Sequence, residues 1–268
     1  MSMTIVRAAL EQRRTSLLWY SFGLAAYSFF IVWYYPQFAG NEEFLETIQE
    51  AFSPELMAAF GAGGLDFSTL GGFLGVEYLS LIWVGIVGAA VIGFAAKALA
   101  SDIEAGTMEV TLTQPVSRRA VAVSRYVAMV IYAVIINLAT VVPIKVAGIA
   151  FDVEVGLDSM ALLFAMGMLV SLAIGGVAFA VSAYSNGGGR VAAAAGGLLA
   201  LMWLLDFISN VNEGTEFLGK LTLFHYWEPA RIIDDVTTMP EAWWVFGIAT
   251  VVFPALAVWH FMRRDVAG

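Results

Sequence analysis

The sequence predicts an all-α, polytopic membrane protein: six transmembrane helices, an N-terminal interfacial helix, and a short cytoplasmic helix between the second and third spans. Three observations carry this. Hydrophobic residues make up 60% of the chain and charged ones only 13%, with a mean hydropathy of +0.81, whereas soluble domains run about 45–50% apolar and about 25% charged. Six apolar stretches reach the roughly 20 residues that a helix needs to cross a hydrocarbon core. The basic residues segregate to one set of connecting segments, as the positive-inside rule requires of a multi-spanning protein.

The whole chain, 1–268, forms one membrane domain. Residues 3–14 place Ile5, Val6, Ala9 and Leu10 on one side and arginines on the other, so 1–16 is expected to lie as an interfacial helix among headgroups. The expected spans are 17–35, 76–100, 121–149, 159–184, 190–210 and 242–262. The first apolar run exceeds the about 7–15 residues of a signal core, so it is expected to remain as a span. None of the stretches alternates like a barrel strand, and backbone groups in lipid must pair within their own segment, so all six are helices. Ser185 to Arg190 should form a tight hairpin connection in which glycine supplies positive φ.

Between the spans lie two long outer loops, 36–75 and 211–241. In the first, Phe44, Leu45, Ile48 and Phe52 recur at helical spacing against acids, and Ser53-Pro54 suits the start of a second short helix. The second mixes Phe217, Leu221, Phe224 and Trp227 with acids. With both termini cytoplasmic, ten of the thirteen basic residues fall inside and seventeen of the twenty-two acids fall at or beyond the outer boundary. That acidic outer face suits ordinary solubility or a salty exterior.

Several chemistries find no support. Cysteine is absent, so there is no disulfide, thiolate metal site or thiol nucleophile. His225 and His260 fall on opposite sides of the membrane, without the spacing of a zinc protease. Gly214 to Lys220 imitates a phosphate-binding loop, but Leu221 replaces the hydroxyl that holds magnesium, and a span rather than a strand precedes it. This chain is therefore not expected to hydrolyse ATP. Lys97, Lys145 and Asp206 lie near span ends, where snorkelling accounts for them. Small residues recur every fourth position at Gly85, Ala89 and Gly93, at Gly167, Ser171 and Gly175, and at Ala192, Gly196 and Ala200. Such stripes let helix backbones approach, either within one chain or between two.

The most informative stretch is 101–119, too polar to span and rich in capping residues. Ser101 and Glu104 have capping-box spacing. Thr107 can cap a short helix over 108–113, Pro115 forces a turn, and Ser117 can cap the helix entering the third span. Acids precede that helix and arginines follow it.

With Glu104, Gly106, Thr107, Glu109, Leu112, Pro115, Ser117 and Arg118 in place, the segment closely resembles the signature of the type-2 ABC exporter permeases. Thr111 departs from it, standing where that family usually has leucine. The likeness extends more weakly over the whole chain, through the interfacial helix, the long first outer loop and the six spans. It implies that 101–120 is a coupling segment seated on a separate ABC ATPase. In that arrangement Glu104 and Arg118 contact the ATPase, Gly106 permits its close approach, Thr107 caps the helix and Pro115 sets its angle. The resemblance further implies two permease chains, identical or paralogous, paired in the cell membrane above ATPases that hold ATP and magnesium. This chain would bind no cofactor or metal, and its other partners would be lipids, not nucleic acid. An ATP-independent membrane scaffold and a secondary transporter remain alternatives.

Overall fold

A long apolar segment satisfies its own backbone only as a helix, and the described residues contain helices and no strand. The computed structural model describes residues 2–39, 68–108, 113, 116–211 and 213–264. Helix α1 (Met3–Gln12) is followed by α2 (Arg14–Ala39). Next come α3 (Leu70–Leu74), a π-helical turn (Gly75–Leu79), α4 (Ile82–Ala98) and α5 (Ala100–Glu104). Two long helices, α6 (Arg118–Ala150) and α7 (Leu157–Tyr184), lead to α8 (Gly188–Val211). The short α9 (Glu216–Gly219) and α10 (Pro229–Asp234) precede the last helix, α11 (Pro240–Arg263). Six segments are long and apolar enough to cross a membrane: α2, α4 with α5, α6, α7, α8 and α11. The chain is a multi-pass membrane protein.

Helices α4 and α7 form the centre of the bundle, with α11, α6 and α2 packed around them. About two-thirds of the apolar window of α4 and of α7 is buried (67% each), against 11% for α8. The fifth span therefore stands at the periphery of the bundle.

Polar bonds stitch the apolar core. Trp83 Nε1 donates to Thr140 Oγ1 at 2.9 Å, and Trp83 stacks on Trp227 at 5.1 Å between ring centroids. Asn137 Nδ2 donates to Ser171 Oγ at 2.9 Å, and the Ser171 hydroxyl donates in turn to the Gly167 carbonyl at 2.6 Å. Satisfied groups of this kind cost little in a low-dielectric interior and hold two helices in one register.

The small-residue stripes divide between two uses. Those of α7 are packed within the chain: a Cβ at Gly167 would stand 2.6 Å from Asn137 Oδ1, and one at Gly175 would stand 3.0 Å from the Met129 methyl. Those of α4 and α8 are not. A Cβ at Gly85, Gly93 or Gly196 would meet nothing within 4 Å, and the two stripes instead line an apolar groove of about 500 Å³ between α4 and α8.

The second span begins later than expected. Residues 76–79 belong to a separate short helical unit, 80–81 form a turn, and the span runs Ile82–Glu104 with a kink at Leu99. The reason is a competing helix start. Thr69 Oγ1 accepts the Gly72 N–H at 3.1 Å and donates to the Asp234 carboxylate at 2.7 Å, while Gly71 N–H donates to the same carboxylate at 2.8 Å. This cap binds α3 to α10, and Trp227 Nε1 donates to the Leu79 carbonyl at 2.9 Å just beyond. The expected helices at 44–52 and 53–60 lie outside the described residues.

The connection between the fourth and fifth spans is tighter than the sequence suggests, because Gly188, Gly189 and Arg190 already belong to α8. None of these glycines has positive φ. Their value is small size: a Cβ at Gly187 would come within 3.2 Å of the Glu104 carboxylate, and one at Gly188 would collide with Ser101 Oγ.

The docking of α3 on α10 yields a stability prediction. A Cβ at Gly71 would stand 2.5 Å from the Ala230 carbonyl oxygen, a backbone atom, so Gly71→Ala should cost about 1–3 kcal/mol of overpacking. Gly85→Ala, into open space, should leave thermal unfolding in detergent unchanged or slightly raise its midpoint. Equal midpoints for the two variants would contradict the docking.

Candidate functional site

The segment after the second span is where chemistry-bearing residues from five helices converge. Helix α4 bends at Leu99 (φ −128°, ψ −56°) and resumes as α5. At the bend the Ala100 N–H, exposed by the break, donates to Ser182 Oγ of α7 at 3.0 Å in a buried bond. Asp102 and Arg125 form an ion pair at 2.5 Å, with side chains 19% and 10% exposed. The Arg125 guanidinium also donates to the Ala98 carbonyl, which the same bend frees. A buried charge is tolerated when it is paired and hydrogen-bonded, and Arg125 is both, bonded to Asp102 and to the Ala98 carbonyl, so that it holds α6 against the bend.

Glu104 does not complete a capping box with Ser101. The helix passes through the bend, so Ser101 is already inside it and donates its hydroxyl back to the Ala96 carbonyl at 3.2 Å. The Glu104 carboxylate is left to accept the Gly188 N–H at 3.0 Å, at the first residue of α8. An anionic group at a helix N-terminus pairs an orphan donor and complements the helix dipole. Glu104 thereby ties the second span to the fifth.

Gly106 adopts φ +71°, the left-handed conformation that glycine enters without a Cβ penalty. A Cβ there would meet nothing within 4 Å, so within this chain the glycine serves the turn and not a close approach. Thr107 Oγ1 donates to the Asp102 carbonyl at 3.2 Å, and Met108 is fully buried. Glu104, Ala105, Gly106 and Thr107 form a short exposed ridge. Glu109, Leu112 and Pro115, with most of the helix expected over 108–113, lie outside the described residues.

Where the chain re-enters α6, Ser117 is the N-cap, accepting the Ala120 N–H at 3.1 Å, as its position predicts. Arg118 folds back on the bundle and donates to the Arg264 carbonyl just past α11. Arg264 in turn donates to the carbonyls of Ala183 at 2.6 Å and Ser185 at 2.9 Å, and to Asn186 Oδ1. The two carbonyls are orphan acceptors at the end of α7, where a cation also meets the negative end of the dipole. Burial lowers the pKa of the Arg264 guanidinium from its ordinary value. Of the expected site residues, the structure thus brings Glu104, Gly106, Thr107, Ser117 and Arg118 to one end of the bundle. The residues that fasten them, Asp102, Arg125, Ser182, Gly188 and Arg264, were not singled out by sequence as site residues.

Elsewhere, the Gly214–Lys220 stretch follows helix α8 and folds as a 3-10 turn and the short α9, not as a strand-to-helix loop. Among the described residues no group of three His, Asp or Glu side chains could hold a metal ion.

A family model described as ABC-2 family transporter protein matches residues 3–266. The chain belongs to the ABC-2 transporter permease family. A search of curated proteins finds no match. The permease is thus the membrane transport component of an ABC transporter, a class that works with ABC ATPases.

The fastening of the segment is testable. Asp102→Ala would leave Arg125 buried without its carboxylate, and should lower the stability of the permease by about 3–5 kcal/mol. Glu104→Ala should cost about 0.5–2 kcal/mol, as loss of a helix cap does, with Glu104→Gln closer to the parent because it keeps an acceptor. Denaturant unfolding of the purified variants checks both, and an Asp102→Ala variant as stable as Glu104→Gln would refute the assignment.

Proposed function

We propose that the permease is the membrane-embedded half of an ATP-driven exporter in the cell membrane, with both termini cytoplasmic. Two permease chains, identical or paralogous, pair to form the transport path. Separate ATPase subunits carry ATP and magnesium and dock on the 101–120 segment.

A single observation carries this proposal. The exposed ridge at Glu104 to Thr107 is bonded through its base to α6, α7 and α8. A push on such a ridge moves span ends and not just a loop. That is what a lever between an ATPase and a bundle requires, because a packed interface switches between discrete arrangements. The positive-inside count supports a cytoplasmic position for this end, where ATP is. The peripheral α8 and the open stripes of Gly85, Gly93 and Gly196 favour pairing through that face, since small residues let helices of two chains approach closely.

Transport-coupled ATPase activity tests the proposal. In reconstituted complexes, Gly106→Leu would strain the left-handed turn and Glu104→Lys would put a cation at the N-terminus of α8. Each should reduce ATP hydrolysis to the level of the ATPase alone while the permease stays folded. Stimulation equal to the parent's in both variants would exclude this segment as the coupling element.

A further inference from the structure

Below α1, at the same end of the bundle, lies a cavity of about 440 Å³ bounded by α1, the ends of α4 and α5, and the start of α6. Its volume falls in the about 300–1,000 Å³ range of ligand pockets. Its lining is divided by chemistry. Ile5, Ala9 and Phe94 supply an apolar wall, while Arg13, Lys97 and Arg125 supply three cations against one acid, Asp102, for a net charge of +2.

The one acid is committed, because Asp102 pairs with Arg125 at 2.5 Å. That leaves the Arg13 guanidinium and the Lys97 ammonium, and neither makes a side-chain hydrogen bond or an ion pair among the described residues. Lys97 is exposed at the end of its helix, whereas Arg13 is half-buried at the junction of α1 and α2. Burial lowers the Arg13 pKa from its ordinary value, with the Asp102 charge acting in the opposite sense. A half-buried cation without a bonded anion is an unfavourable arrangement that a ligand would relieve.

The place of the cavity selects the ligand. Arg13 directly precedes the first residue of the first span, and Lys97 and Asp102 lie within the last turns of the second. The opening is therefore at headgroup depth. Basic pockets between spans at this depth bind anionic lipid headgroups, through cations that a phosphate can bridge. The apolar wall fits the glycerol and upper acyl region of a lipid, which a soluble phosphate lacks.

We propose that the cavity between α1, α4 and α6 is a binding site for an anionic phospholipid, with Arg13 and Lys97 holding its phosphate headgroup. The lipid would fill the space between the amphipathic α1 and the coupling segment and fix α1 against the bundle. The site requires only that the chain sits in a bilayer, and does not depend on export.

The test uses the full-length permease, purified in detergent and stripped of lipid, with thermal unfolding followed as lipid is added in mixed micelles. Phosphatidylglycerol should raise the unfolding midpoint in a saturable way, and phosphatidylcholine and inorganic pyrophosphate should not. Arg13→Gln combined with Lys97→Gln should weaken the apparent affinity on the order of tenfold or more. Lys97→Gln alone, an exposed change that leaves packing intact, should weaken it by a smaller factor. Arg7→Gln, at an exposed arginine of α1 that pairs with Glu11, should respond as the parent does. Three outcomes would overturn the proposal: an unchanged response in the Lys97 variant, an equal effect of phosphatidylcholine, or an equal effect of pyrophosphate. The last would assign the site to a soluble phosphate.

Discussion

One ion pair sets the geometry of the functional end of this permease. Asp102 and Arg125 meet inside the bundle, where the second span bends and the third begins, and Arg125 also takes up the Ala98 carbonyl that the bend exposes. A polar backbone break at this depth is tolerable only because protein groups satisfy it. The bend in turn aims α5 across the end of the bundle, so that Glu104 reaches the N-terminus of α8. Without the pair, the segment after the second span would lose its fastening to α6 and keep only its bonds to α7 and α8.

The opposite strand of this network runs through arginines that serve as helix caps. Arg118 binds the end of α11, and Arg264 binds the end of α7. Basic residues at this end therefore close the carbonyl ends of helices. The opposite end is organised differently. There Asp234 caps α3, and Trp227 supplies an indole donor to a π-helical turn, so a short helical unit is seated over the bundle by side-chain bonds.

Much of the fold was legible in the sequence, because bilayer thickness and hydropathy specify spans with little help from neighbours. The first, third, fourth, fifth and sixth helices fall within a few residues of their expected limits, and Ser117 caps α6 as a serine before a helical run should. What was not legible depends on partners distant in sequence. The spacing of Ser101 and Glu104 satisfies a capping box, yet Glu104 serves a helix that begins at Gly188, and no local pattern announces that. Residues 76–81 are apolar enough to extend the second span, but the cap built by Thr69 and Asp234 starts a separate helix before them. The signal that could have exposed the site was Arg125, a cation in the second turn of the expected third span. An intramembrane charge implies a partner, and Asp102 was the acid within reach.

The central claim is that the ridge at Glu104 to Thr107 faces the cytoplasm and receives an ATPase. Because the permease contains no cysteine, Ala105→Cys places one thiol on that ridge. A membrane-impermeant maleimide should fail to label it in intact cells, label it after permeabilisation, and lose access again when the ATPase subunits are bound. Labelling from outside intact cells would contradict the account.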